Sequence, residues 1–101
     1  MNNIPYEQRA EAYRSAIDTY GPTLQRYVAV EEMAELTKEL CKAARGADNR
    51  DALVEEIADV TIMMEQLRIL FDVNEAVGSM MDYKVLRLAA RIRETLKSRE
   101  D

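Results

Sequence analysis

One acidic signature is written twice in this chain, and the residues that could do chemistry belong to it. The first copy is A-V-E-E-M-A-E-L, Ala29 to Leu36. The second is L-V-E-E-I-A-D-V, Leu53 to Val60, 24 residues further on. With the copies aligned, Glu31 falls on Glu55, Glu32 on Glu56, Met33 on Ile57 and Glu35 on Asp59. Carboxylates gathered in one place repel one another and are costly to desolvate. They escape by pointing to solvent, by pairing with Lys or Arg, or by holding cations. All-carboxylate sites suit hard cations such as Mg²⁺ or Mn²⁺. Zinc prefers Cys and His, and the chain has one Cys and no His. Ferritin-like di-iron bundles need E-x-x-H pairs, which a chain without histidine does not supply. An acidic cluster meets a polyphosphate through such hard metals, with Lys or Arg adding positive charge. The residues reach metal-assisted phosphate chemistry and leave a merely solvated acidic face open beside it.

Both copies are written in helical period. At about 100° per residue, Ala29, Met33, Leu36 and Leu40 cluster within roughly 60° of arc, and Leu53, Ile57, Val60 and Met64 repeat the cluster. Glu32/Glu35 and Glu56/Asp59, each three apart, lie on one flank of these stripes, with Glu31 and Glu55 further round toward solvent. Packing by the apolar stripes puts both carboxylate pairs beside the seam.

The supporting elements follow from caps and breakers. A first helix opens near Pro5, carries Tyr6, Ala10, Tyr13 and Ile17, and ends at Tyr20. Gly21-Pro22 separates it from a second helix running to Arg45, with Gly46 as its stop. Asp48 or Asn49 is expected to cap a third helix reaching Phe71, and Asn74 to cap a fourth ending near Lys97. Gly78 weakens that last boundary. The expectation is an all-α, four-helix single domain over residues 1–101, its motif-bearing core at about 22–97 and its first helix at the edge. On the fourth helix Met81, Val85, Leu88, Ala89, Ile92 and Leu96 read as the buried stripe. Lys84, Arg87 and Arg91 lie on another side, either as a solvated basic face or as an anion-binding rim.

Composition narrows the partners. A net charge of −5, from 14 basic and 19 acidic side chains, argues against general nucleic-acid binding. No apolar run is long enough to span a bilayer, and the first ten residues lack a signal-peptide core. The lone Cys41 rules out an intrachain disulfide and reads as a small core or edge residue. These features fit a cytoplasmic location.

The paired motif resembles the hallmark of the MazG-like all-α nucleoside triphosphate pyrophosphohydrolases, relatives of the dimeric dUTPases and dCTP pyrophosphatases. Their pattern is E-E-x-x-E followed by E-x-x-D. Here it reads Glu31-Glu32-Met33-Ala34-Glu35, then Glu56-Ile57-Ala58-Asp59, within a resemblance covering Leu24 to Leu96. The resemblance implies that Glu32, Glu35, Glu56 and Asp59 hold Mg²⁺, or Mn²⁺ in its place. It implies that Glu31 binds a further metal or orients the attacking water, and that Lys84 and Arg87 contact phosphates. It further implies hydrolysis of a nucleoside triphosphate to the monophosphate and pyrophosphate, by a bundle completed as a homodimer or homotetramer. Tyr13, Tyr20, Tyr27 and Phe71 are candidates for base stacking or for ordinary packing. Two competing expectations stand: a non-enzymatic acidic helical interaction module, and a family relative acting on a phosphoribosyl nucleotide.

Overall fold

The computed structural model describes residues 3–100 and contains four helices and, among the described residues, no strand. They are α1 (Tyr6–Tyr20), α2 (Pro22–Ala44), α3 (Arg50–Leu70) and α4 (Asn74–Glu100). The helix boundaries fall within a few residues of those expected, because each is set by local chemistry.

Gly21, at φ 91°, serves both as the end of α1 and as the entry to α2, and Pro22 takes the first helical position. A one-residue link with positive φ is a place for glycine. The end of α2 is a Schellman arrangement: Gly46 N–H donates to Ala43 O and Ala47 N–H to Lys42 O, with Gly46 at φ 92°. The same pattern closes α3, where Asp72 N–H donates to Ile69 O and Val73 N–H to Arg68 O. There the left-handed residue is Asp72, at φ 54°, rather than glycine.

Two expected caps act otherwise. Asn49 precedes α3, but its side chain does not cap the helix. Its Nδ2 donates to the backbone oxygen and to Oε1 of Glu39, both at 3.0 Å, tying the loop back to α2. Asn74 is the first residue of α4, which runs on to Glu100.

Helix α3 is the hub. It packs against α2 over its length, meets α1, and touches α4 near its own C-terminal end. The first helix is therefore not peripheral: its Ala10 and Tyr13 are buried, and it is fastened to α3 through Glu65. Glu65 accepts hydrogen bonds from Arg9 Nε at 3.2 Å, Arg9 Nη2 at 3.1 Å and Tyr13 Oη at 2.5 Å. The Tyr13 hydroxyl, with Arg9 behind it, holds the Glu65 carboxyl below its ordinary range. Burial, reinforced by the carboxylate it meets, pushes the Tyr13 hydroxyl up to about 12.

The peripheral element is α4. The expected buried stripe on α4 is not buried within one chain: Met81, Val85, Leu88, Ile92 and Leu96 are all exposed, Leu88 at 56%. The reason is reach. A 27-residue helix is about 40 Å long, and its attachment to α3 lies in its first turns, so most of it extends past the other three helices. At that attachment Arg68 donates to Asn74 O at 3.0 Å, and its guanidinium lies beside Gly78.

The core of a single chain is correspondingly small. Burial of a large apolar side chain contributes about 1.5–3 kcal/mol, and among the described residues only Tyr13 and Met63 are large, apolar and buried. Cys41 is exposed, not a core residue. No helix is long and apolar enough to cross a membrane.

Candidate metal centre

The contact line between α2 and α3 does not follow the apolar stripes. On α2 the buried or half-buried positions that face α3 include Gln25, Ala29, Glu32, Leu36 and Glu39. On α3 they include Ala52, Glu56, Asp59, Met63 and Gln66. Each set advances in steps of four and three, the spacing of a packed helix pair. The pair is antiparallel: Gln25 meets Gln66 at one end, and Glu39 meets Asn49 at the other. Ala29 then stands at the level of Met63, and Glu32 at the level of Asp59.

This corrects the expected packing. Ala29 and Leu36 of the expected stripes do lie in the contact line, but Met33, Leu40 and Ile57 are exposed, Ile57 at 51%, and Leu53, Val60 and Met64 are half-buried to one side of it. Relative to the apolar stripes, the contact line is turned by roughly 50° on α2 and roughly 100° on α3, at 100° per residue. Both turns carry the acidic flank into the seam. The cause is the crowding of α3, which must offer Ile62 and Glu65 to α1 and Val60, Met64 and Leu67 to the groove shared with α4. No single apolar stripe serves three neighbours.

The turn brings three of the expected residues together. Carboxylate oxygens of Glu32, Glu56 and Asp59 lie within 4.8 Å of one another, and all three residues are half-buried. Burial, then the charges of Asp59 and Glu56, raises the pKa of Glu32, which is also in hydrogen-bonding reach of Asp59. Burial, then the charges of Asp59 and Glu35, raises that of Glu56. One oxygen of Glu56, Oε2, is buried and has no hydrogen-bond partner. Among the described residues the ion pairs are Arg9–Glu65 and Lys42–Glu39, so no Lys or Arg neutralises the three acids.

The other expected residues lie elsewhere. Glu35 is exposed at the rim, outside the three-acid cluster but close enough for its charge to raise both Glu32 and Glu56. Glu31 and Glu55 face outward. Lys84 and Arg87 line a shallow recess on α4 with Ser79, Met80 and Tyr83, and the Arg87 guanidinium sits 5.7 Å from the Tyr83 ring centre. Within one chain they form no ion pair with the cluster. Tyr13 is a buried packing residue, whereas Tyr20, Tyr27 and Phe71 are exposed. Phe71 borders an apolar recess of 610 Å³ between α3 and α4, with Met64, Val77 and Met81.

Glu39 is the acid that motif reading passed over. It is buried in the same seam, seven residues after Glu32, and its charge is felt at Glu56. Hydrogen bonds from Asn49 and Lys42 hold its own pKa below the ordinary range. Its signal in the sequence is that seven-residue spacing, legible only once Glu32 is known to lie in the contact line.

Of the three escapes open to crowded carboxylates, pairing is absent at Glu32, Glu56 and Asp59, and exposure to solvent is partial. The donor set is all oxygen, and the orphaned Glu56 Oε2 is a free ligand atom, so the residues fit a hard divalent cation. No family model, characterised protein or solved structure matches the chain.

Proposed function

We propose that this chain is a Mg²⁺-dependent nucleoside triphosphate pyrophosphohydrolase of the MazG-like type, converting a ribo- or deoxyribonucleoside triphosphate to the monophosphate and pyrophosphate. One observation carries the reading. The doubled acidic motif folds so that Glu32, Glu56 and Asp59, from two helices, converge without a cationic partner and with one carboxylate oxygen unsatisfied.

In this reading Glu32, Glu56 and Asp59 hold the cation and Glu35 closes the rim. Bound Mg²⁺, or Mn²⁺ in its place, supplies Lewis acidity to phosphate oxygens and a lowered pKa for coordinated water. Glu31 faces solvent beside the cluster and orients the attacking water. Lys84 and Arg87 neutralise charge on the departing pyrophosphate. Their place on α4 gives a second copy of the chain a role. The exposed apolar face of α4 calls for a cover, and a homodimer or homotetramer that provides it would bring a basic flank to the acidic seam.

The test is pyrophosphate release from a panel of nucleoside triphosphates in Mg²⁺ and in EDTA. Metal-dependent release that vanishes in Glu56→Gln supports the reading. Release from a phosphoribosyl nucleotide alone would move the assignment to that substrate class. The exposed apolar residues of α4 also favour a second reading, an interaction module. Silence across the whole panel, with the oligomer present, would select it.

A further inference from the structure

Packing α2 on α3 by their apolar stripes would set Met33 and Leu40 against Leu53 and Ile57 and leave the acids on a flank. The observed packing exposes Met33, Leu40 and Ile57 and draws Glu32, Glu56 and Asp59 inward. Hydrophobic burial favours the first; the crowding of α3 works against it, and a directional contact within the seam adds to the bias toward the second. The most buried polar contact in the seam is that of Gln66 Nε2, the donor, with Gln25 Oε1, between residues that are 3% and 6% exposed. A buried amide that loses its partner is left unsatisfied, and a single buried polar pair is the best-attested device for fixing helix register. Gln25 lies seven residues before Glu32, and Gln66 seven after Asp59, each two turns along the same contact line.

We infer that Gln25 and Gln66 are positioning residues for the acidic cluster: their buried hydrogen bond fixes the rotation and register of α2 against α3 that make Glu32, Glu56 and Asp59 converge. The metal-binding consequence rests on the function proposed above; the packing consequence does not. Alternative packings of the pair are disfavoured because a rotation or a one-turn slide parts the two amides and leaves both buried and unpaired. The tie between Asn49 and Glu39 closes the far end of the same seam, yet it lies in the loop and bears on the start of α3.

The test uses Gln25→Met/Gln66→Met, which keeps side-chain length and removes both polar ends. Gln25→Leu/Gln66→Leu stands beside it, should the Met variant lose helicity. Spin labels at Val30→Cys and Ala58→Cys, both exposed sites, in a Cys41→Ser background diluted with unlabelled chain, report the α2-to-α3 distance. Mn²⁺ binding, followed by electron paramagnetic resonance with the metal alone, reports the cluster. The expected result is unchanged helicity and undiminished melting temperature, a shifted or broadened label distance, and at least tenfold weaker Mn²⁺ binding. Gln25→Glu/Gln66→Lys, which restores a directional contact in the same layer, should recover both readouts. An unchanged label distance in a helical Met or Leu variant overturns the inference, whatever the metal does. Absence of Mn²⁺ binding by the unaltered chain, with the label distance shifted as expected, would instead overturn the metal reading and leave the positioning role standing.

Discussion

The α2·α3 seam and helix α4 are both amphipathic in sequence, yet they resolve that character in opposite ways. In the seam the polar groups go inside: Gln25, Glu32, Glu39, Glu56, Asp59 and Gln66 lie along the contact line while Met33 and Ile57 face out. On α4 nothing goes inside, and both the apolar stripe and the basic flank remain exposed. The difference shows that the most apolar face of a helix is its contact face only where its partners allow it. The seam accepts crowded acids, an arrangement that costs stability in the metal-free chain and suits a cation. Helix α4 keeps an apolar face that no other helix of the same chain covers.

The largest expected effect breaks the seam side of the comparison. Glu56→Gln or Asp59→Asn should abolish pyrophosphate release, by about a thousandfold if several kcal/mol of charge stabilisation are lost, while circular dichroism stays unchanged. Near-normal turnover in either variant would remove the cluster from the mechanism. On the α4 side, Leu88→Glu places a charge in the exposed stripe. Under the proposed function it should leave a monomer by sedimentation, where the unaltered chain is expected to be an oligomer, without melting α1–α3, whereas Lys84→Ala/Arg87→Ala should keep the unaltered chain's assembly and slow turnover by about tenfold, the worth of a charge-assisted hydrogen bond. Equal oligomer content in Leu88→Glu would show that α4 needs no cover.

The pH dependence sharpens the contrast further. Glu32 and Glu56 have folded-state pKa values above the ordinary 4.5, so the folded chain binds more protons than the unfolded one between 4.5 and those raised values. Stability of the metal-free protein should therefore rise as pH falls through that window. Below it, the lowered carboxyls of Glu39 and Glu65 reverse the trend, because their contribution is present above 4.5 and lost as they protonate. Thermal melts from pH 7 to 3 in EDTA should show a maximum; Glu56→Gln should flatten its neutral side, and Mg²⁺ should stabilise more at pH 7 than at pH 5. A melting temperature that falls steadily with acidification would contradict the burial of the cluster. The smallest effect concerns the turn that launches α4. Asp72→Gly relieves a left-handed non-glycine residue and should raise stability by up to about 1 kcal/mol, seen as a small gain in melting temperature.

Much of this molecule is legible without coordinates. The four helices, their ends at Gly21-Pro22 and Gly46, and the exposure of Glu31 and Glu55 follow from local chemistry, since caps, breakers and the 3.6-residue period act within a few residues of themselves. The acidic motif announces itself for the same reason: Glu32 and Glu56 carry their neighbours with them on a helix. Which side of each helix meets its partner is not local. Rotation about a helix axis depends on every surface that must be covered at once, and α3 has three such surfaces. Only the tertiary structure could therefore turn the carboxylates inward, place Glu39 in the same seam, exchange the peripheral role from α1 to α4, and leave Lys84 and Arg87 without an ion pair to the acids within one chain.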